Sequence, residues 1–254
     1  SYFEQFGIDT SRILHTPIMD IEELKFDIMS QLEDLDRKDN VIIVIDSIGN
    51  LSSKKEKEDA INEKSVADMS RAKALKSLFR MTTPYLKMKN IPLIAVNHTY
   101  KEIGLFPRDI VGGGTGIYYS ADNIWILGRQ QDKKGTEIQG YHFVINVEKS
   151  RYVKEKSKIP ITVSWDGGVR KYSGLLDCAL AGGYVTKPSN GWYAMVDQET
   201  GEVGPKVRYD ITNDKSFWDP VFANTDFKEF LKKQYQIGHQ SLVSMDAIVE
   251  SVDG

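Results

Sequence analysis

Apolar residues recur at Ile21, Leu24, Ile28, Leu32 and Leu35. This is the spacing of one helix face and predicts an amphipathic helix over 21–36. Asp20 and Glu23 stand where an N-cap acceptor and its capping-box partner belong. The polar turn RKDN (37–40) closes that helix, and RILHTP (12–17) before it reads as a short strand ended by Pro17. VIIVI (41–45) is an unbroken apolar run, as expected of a central parallel strand buried on both faces. Residues 52–65 are dense in charge and read as an exposed loop passing into a helix. That helix carries Val66, Met69, Leu75, Leu78, Phe79 and Leu86, with a bend or break expected at Pro84. IPLIAVN (91–97) is a second buried strand.

Residues 100–116 hold one proline and five glycines among few apolar positions, so a long mobile loop is expected, and long loops in compact domains are usually functional. Strands follow at 122–128, 141–148 and 160–166, joined by polar turns such as QDKKGT (131–136). A short glycine-ended helix follows at 174–183, then a hairpin within 191–209, a helix at 226–238 and an acidic tail from Gln240. Strand–helix alternation followed by consecutive strands argues for an α/β domain with a mainly parallel sheet, flanked by helices and extended by antiparallel strands. Ligands of such sheets bind beyond the carboxyl ends of the strands, which directs attention to the residues after Ile45 and Val96.

Composition narrows the class. The 254 residues are 41% hydrophobic and 27% charged with a net charge of −3, which excludes a disordered, collagen-like or coiled-coil chain. No apolar run is long enough to span a membrane. The start lacks a secretory pattern, and the missing initiator Met suggests a processed or truncated product. The lone Cys178 permits no internal disulfide. The four histidines do not cluster at metal-ligand spacing. A nucleic-acid binder of this net charge needs a local basic strip.

Asp46 and Ser47 leave the first strand. A carboxylate there can hold a Mg²⁺ water beside nucleotide phosphates, or can simply cap the turn. Asn97, His98 and Thr99 leave the second strand, either as a phosphate sensor feeding the loop or as a satisfied polar cluster. Gly112–Gly116 permits close backbone approach or a flexible hinge; without a following Lys it is no phosphate loop. Lys149 and Arg151 alternate around Ser150 in the densest basic strip, KSRYVKEKSK (149–158), and suit either an anion or a solvated face. Tyr100, Phe106, Tyr118 and Tyr119 lie in or beside the long loop with Lys101 and Arg108, an aromatic and cationic mixture suited to stacking single-stranded nucleic acid. Tyr118 and Tyr119 could equally be helix core.

The ordered set VIIVIDSIGNL (41–51), IPLIAVNHT (91–99), GGGTGIYYSADNI (112–124) and NVEKSRYVKEKSK (146–158) resembles the RecA family and, within it, the UvsX recombinases of T-even-like phages. The resemblance runs from Tyr2 to about Gly238. It implies a RecA-like ATPase core over 1–172, a small C-terminal α/β region over 173–238 and an acidic tail over 239–254. It also implies an ATP- and Mg-dependent strand-exchange protein. Such a protein forms a homo-oligomeric filament on single-stranded DNA inside the phage's host cell, with single-strand-binding and mediator proteins as further partners and no membrane. By resemblance Asp46 is the Walker-B aspartate, with Ser47 beside the cofactor. Segment 52–65, with Lys54, Lys55 and Lys57, is the first DNA-binding loop. Residues 100–116, with Tyr100, Lys101, Arg108, Gly112, Gly113 and Gly114, are the second. His98 is the γ-phosphate sensor, and Lys149 and Arg151 reach the ATP of a neighbouring subunit. The family's Walker-A loop and catalytic glutamate match nothing in this sequence, so the chain reads as the C-terminal two-thirds of a recombinase that alone is inactive. The competing expectations are a non-enzymatic DNA-binding or self-associating fragment, and another RecA-fold motor such as a hexameric helicase.

Overall fold

The computed structural model describes residues 2–5, 7–62, 69–105, 107–134, 137–165 and 167–237. Val66, Phe106 and the acidic tail lie outside the described residues. The chain forms two compact units, Ser1–Ala121 and Asp122–Gly254.

The first unit opens with α1 (Tyr2–Gln5) and a 3₁₀ turn at Thr10–Arg12. It continues with α2 (Ile21–Asp34), β1 (Ile43–Ile45), a 3₁₀ turn at Ile48–Asn50, α3 (Lys54–Ile61) and α4 (Ser70–Lys89). β2 (Leu93–Ala95), β3 (Thr99–Lys101), β4 (Asp109–Val111) and α5 (Thr115–Ser120) complete it. The predicted α2 forms because Asp20 accepts a hydrogen bond from the Glu23 N–H at 2.8 Å while the Glu23 carboxylate accepts from the Met19 N–H. Its apolar face (Ile21, Leu24, Ile28, Leu32) packs on Leu75, Leu78 and Phe79 of α4 and on Ile45, Ile48, Ile91 and Ile117. Burying one such side chain is worth about 1.5–3 kcal/mol.

β1 and β2 pair in parallel, Ile43 with Leu93 and Ile45 with Ala95. Their opposite face is open: Val44 is 61% exposed and Ile94 52%. The expected strand buried on both faces is therefore corrected to one buried on one face, and the mainly parallel sheet to a parallel pair. Among the described residues, β1 and β2 have no ladder partner beyond each other.

Four further expectations change. Residues 12–17 form no strand. Pro84 does not break α4: the carbonyl its missing N–H deprives belongs to Arg80, which is exposed and faces water. Much of 52–65 is helical, because Ser53 and Glu56 form a complete capping box. The long loop is a hairpin, with Thr99 opposite Val111 and Lys101 opposite Asp109.

In the second unit β5 (Asn123–Lys134), β6 (Glu137–Ser150), β7 (Lys158–Ser164) and β8 (Gly168–Val169) make an antiparallel meander. Gln131–Lys134 of the expected turn are thus strand; residues 135 and 136 lie outside the described residues. α6 (Leu175–Ala181) follows, then β9 (Val185–Ser189), β10 (Trp192–Met195) and β11 (Val207–Arg208) in the order β11-β10-β9. A 3₁₀ turn at Tyr209–Asn213, α7 (Lys215–Asn224) and α8 (Phe227–Tyr235) close the unit. Fully buried Trp218 centres this second core. It lies between the rings of Tyr172 and Phe227, at 6.1 Å from each, and donates its indole N–H to the Thr212 carbonyl at 2.7 Å.

Candidate functional site

The carboxyl ends of β1 and β2 bring four of the predicted polar residues together. Ile45 carries the chain out to exposed Asp46, and the Asp46–Ser47 peptide is cis. The Ser47 hydroxyl is buried without a hydrogen-bond partner in the structure. On the neighbouring strand Val96 donates to the Ile45 carbonyl at 2.9 Å, and Ile48 donates to the Val96 carbonyl at 3.0 Å. The turn after β1 is thereby sewn to the end of β2. His98 then lies against that turn, its Nε2 3.0 Å from the Asn50 Oδ1. Gly49 is required there: a Cβ on it would sit 2.1 Å from the His98 Cδ2. Asn97 donates to the Gly112 carbonyl at 2.8 Å, and Gly112 returns its N–H to the His98 carbonyl at 2.9 Å.

The turn is also held from α4. Arg71 donates through Nε to the Leu51 carbonyl (2.9 Å) and through Nη2 to those of Ile48 (2.8 Å) and Gly49 (3.1 Å). Sequence reasoning overlooked Arg71 and Asn50.

An exposed carboxylate beside an orphaned buried hydroxyl fits contact with a hydrated Mg²⁺, which keeps most of its waters and needs only one or two carboxylates besides substrate phosphates. The same residues supply no cradle of backbone N–H groups for a triphosphate.

A cleft of about 640 Å³ opens between α4 and α5. Lys76, Arg80 and Lys87 line it from α4, and Thr115 and Tyr119 from α5; none of its lining residues is acidic. The three cations are exposed. They follow one helix face at i, i+4 and i+11, about 6 and 10.5 Å apart along the axis. Tyr119 is 76% exposed at the rim, so of the two readings of the tyrosines this one leaves the core. Glycines let α5 dock so closely. A Cβ on Gly116 would meet Lys76 at 2.9 Å, and one on Gly113 (φ +89°) would meet Ile117 at 2.5 Å and Leu75 at 2.8 Å. Gly112, Gly113 and Gly114 thus serve packing and turn geometry. The cation spacing on α4 was the available signal for this cleft; the helix was read only for its apolar stripe.

Two of the predicted lysines of α3 form ion pairs. Lys57 pairs with the buried Asp20 at 3.2 Å, and Lys55 lies 3.9 Å from Asp59. Burial pushes the Asp20 carboxyl up, but the Glu23 N–H and the Lys57 ammonium outweigh it and hold the carboxyl below its usual range. Lys54, at the first position of α3, gives its backbone N–H to Glu22 at 3.1 Å. On the hairpin Lys101 pairs with Asp109 at 2.8 Å, the Arg108 carbonyl accepts from Glu102, and Tyr100 is 57% exposed.

In the second unit β6 ends at Ser150, so Arg151 lies in the bend beyond the strand instead of continuing the alternation with Lys149. Ser150 donates to Asn123 and accepts from the Tyr152 and Val153 N–H groups. Arg151 pairs with Asp122 at 2.8 Å.

The chain is similar to bacterial RecA proteins. The chain is 26% identical to the RecA protein of Tropheryma whipplei over 71% of its length, covering 41% of that protein. It is 24% identical to the RecA protein of Chloroherpeton thalassium over 88% of its length, covering 62% of that protein. The particular relative is the recombination and repair protein of enterobacteria phage T4, 50% identical over 99% of this chain. Residues 172–231 match the family described as the C-terminal domain of the bacteriophage T4 recombination and repair protein. The chain is thus similar to the phage T4 protein and, at lower identity, to RecA proteins. It spans 65% of the T4 protein's length.

Proposed function

We propose that the chain acts as part of an ATP-dependent strand-exchange recombinase that assembles as a filament on single-stranded DNA inside a phage's host cell. The half-identity to the phage T4 recombination and repair protein across 99% of the chain carries this reading. On it, residues 1–172 are the RecA-like ATPase core and 173–238 a small C-terminal region, which the second core around Trp218 and the family match over 172–231 support.

Bound Mg²⁺–ATP would supply the charge and leaving group that make filament assembly reversible. Asp46 and Ser47 would hold the hydrated metal ion, His98 would serve as the donor toward the terminal phosphate, and Lys149 and Arg151 would neutralise charge on the nucleotide of an adjacent subunit. DNA runs over the α4–α5 cleft. Lys76, Arg80 and Lys87 follow its phosphates, Tyr119 offers a face for a base, and the lysines of α3 and the β3–β4 hairpin with Tyr100 and Arg108 flank it. Single-strand-binding and mediator proteins are further partners.

The test is oligo(dT) binding by this chain across a salt series. Each neutralised phosphate adds about −0.7 to the slope of log K against log salt, so the paired substitution Lys76→Ala and Arg80→Ala flattens the slope by about 1.4 while the fold melts as before. Salt-independent binding, or an unchanged slope in the double variant, sinks the assignment.

A further inference from the structure

Arg71 occupies an electrostatically poor position. It lies in the first turn of α4, where the helix dipole repels cations, and Met69 at the N-cap makes no side-chain cap. Its guanidinium instead turns away from the helix and onto the carbonyls of Ile48, Gly49 and Leu51. Those carbonyls belong to the 3₁₀ turn Ile48–Asn50 and its C-cap Leu51, and that of Ile48 also accepts the Leu51 N–H at 3.4 Å. Three well-aligned charge-assisted bonds from one planar group fix where that turn sits relative to α4.

The turn in turn fixes His98. Asn50 meets the His98 ring at 3.0 Å, and the ring fills the space a Cβ on Gly49 would need. The other wall of the cleft reaches the same histidine by a different route, since Gly112, three residues before the start of α5, exchanges hydrogen bonds with Asn97 and His98. Both walls of the α4–α5 cleft therefore end on one strand terminus, α5 through Gly112 and α4 through Arg71. Lys76 and Arg80 lie five and nine residues along α4 from Arg71, on a continuous helix that transmits displacement as a rigid rod.

We propose that Arg71 is a positioning residue that couples occupancy of the α4–α5 cleft to the placement of His98. This rests on the reading of the cleft as a single-strand site, and it adds how the site reports its state to the sheet edge. Arg71 itself touches neither DNA nor nucleotide. A polyanion drawn onto Lys76 and Arg80 shifts α4; Arg71 carries the shift to turn 48–51; the turn moves the Asn50 acceptor and with it the imidazole. A lysine cannot replace it fully, because one ammonium on a flexible stem does not span three carbonyls in a fixed fork.

The chain has four histidines, so His98 can be followed directly by its ring ¹H–¹³C signal, assigned with His98→Gln. Oligo(dT) is titrated into the wild-type chain, Arg71→Lys and Arg71→Ala, and the His142 signal reports an intact second unit. The wild-type His98 signal is expected to move on binding. Arg71→Ala is expected to bind oligo(dT) within about threefold of wild type, as a site outside the cleft should, with less than about half the wild-type His98 shift; Arg71→Lys falls between. A full His98 shift in Arg71→Ala overturns the coupling and leaves the DNA reading standing. Loss of oligo(dT) binding in Arg71→Lys, with the His142 signal and melting curve intact, makes Arg71 part of the DNA contact and overturns the coupling too. A wild-type chain that binds no oligo(dT) overturns the DNA reading and this inference with it.

Discussion

Gly49→Ala is a small change that strikes the turn at the carboxyl end of β1. The added methyl carbon would lie 2.1 Å from His98 Cδ2 and 2.9 Å from Nε2, against ordinary contacts of 3.4–4 Å. Something must retreat by about 1.3 Å. The turn cannot do so cheaply, because Arg71 grips three of its carbonyls and Ile48 is bonded to Val96. The His98 ring is exposed and gives way, abandoning the Asn50 oxygen. Overpacking of this kind costs about 1–3 kcal/mol, and the lost hydrogen bond about 0.5–1.5 kcal/mol. Escape of the ring into water relieves part of the first cost, so a total of about 1–3 kcal/mol is expected. For a chain of this length that lowers Tm by roughly 2–10 °C. Calorimetry gives Tm, and the His98 ring signal shows whether the imidazole has left the turn. An alanine variant that melts with the wild type and keeps its His98 signal in place would refute the packing of His98 on Gly49 and the linkage built on it.

Two further outcomes follow from the chemistry of single groups. Tyr184 is 5% exposed and donates to Asp226 at 2.6 Å; burial, then the hydrogen bond and the Asp226 charge, push its hydroxyl up to about 12 from an ordinary 10.0. A raised folded-state pKa contributes stability that is complete below the unfolded value and is lost as pH climbs through the folded one, so Tm should fall between pH 10 and about 12, less steeply in Tyr184→Phe; parallel curves would disprove it. The 254-residue chain by itself should release no phosphate from ATP, since no GxxxxGK[ST] occurs in it and Asp46 with Ser47 offers a metal ion no triphosphate cradle; steady turnover by the purified chain as a stable monomer would contradict this.

What the sequence disclosed was local. α2 is legible because its cap, its capping-box partner and its apolar face lie within 16 residues, and each acts on backbone a turn away. Asp46 and His98 are legible because a run of β-branched residues must end somewhere, and polar groups at that end share a sheet edge. The hairpin at 99–111 reads as a loop in the sequence because its strands are three residues each, with an exposed first strand and no apolar alternation to betray them. Backbone pairing and the cross-strand Lys101–Asp109 ion pair define it. α7 went unread because Pro220 and a mixture of aromatic and polar residues, KSFWDPVFAN, blur the period; it forms because Trp218, Phe217 and Val221 are all buried in the second core.

The cleft between α4 and α5 lay furthest from view, and the reason is the glycine run. As sequence, Gly112–Gly116 suggests a backbone that approaches a phosphate or bends as a hinge. In the structure Gly113 and Gly116 are small because Leu75 and Lys76 stand where their side chains would be. The consequence is electrostatic all the same. Close docking of α5 turns a row of cations on α4 from a solvated helix face into one wall of a groove, and it places Tyr119 opposite them. A charge row on an isolated helix is worth little, because water screens it; the same row facing a second wall acts together on a chain of phosphates. The glycines thus act on the cleft's charge at one remove, by permitting the packing that concentrates cations contributed from some 35 residues earlier in the chain.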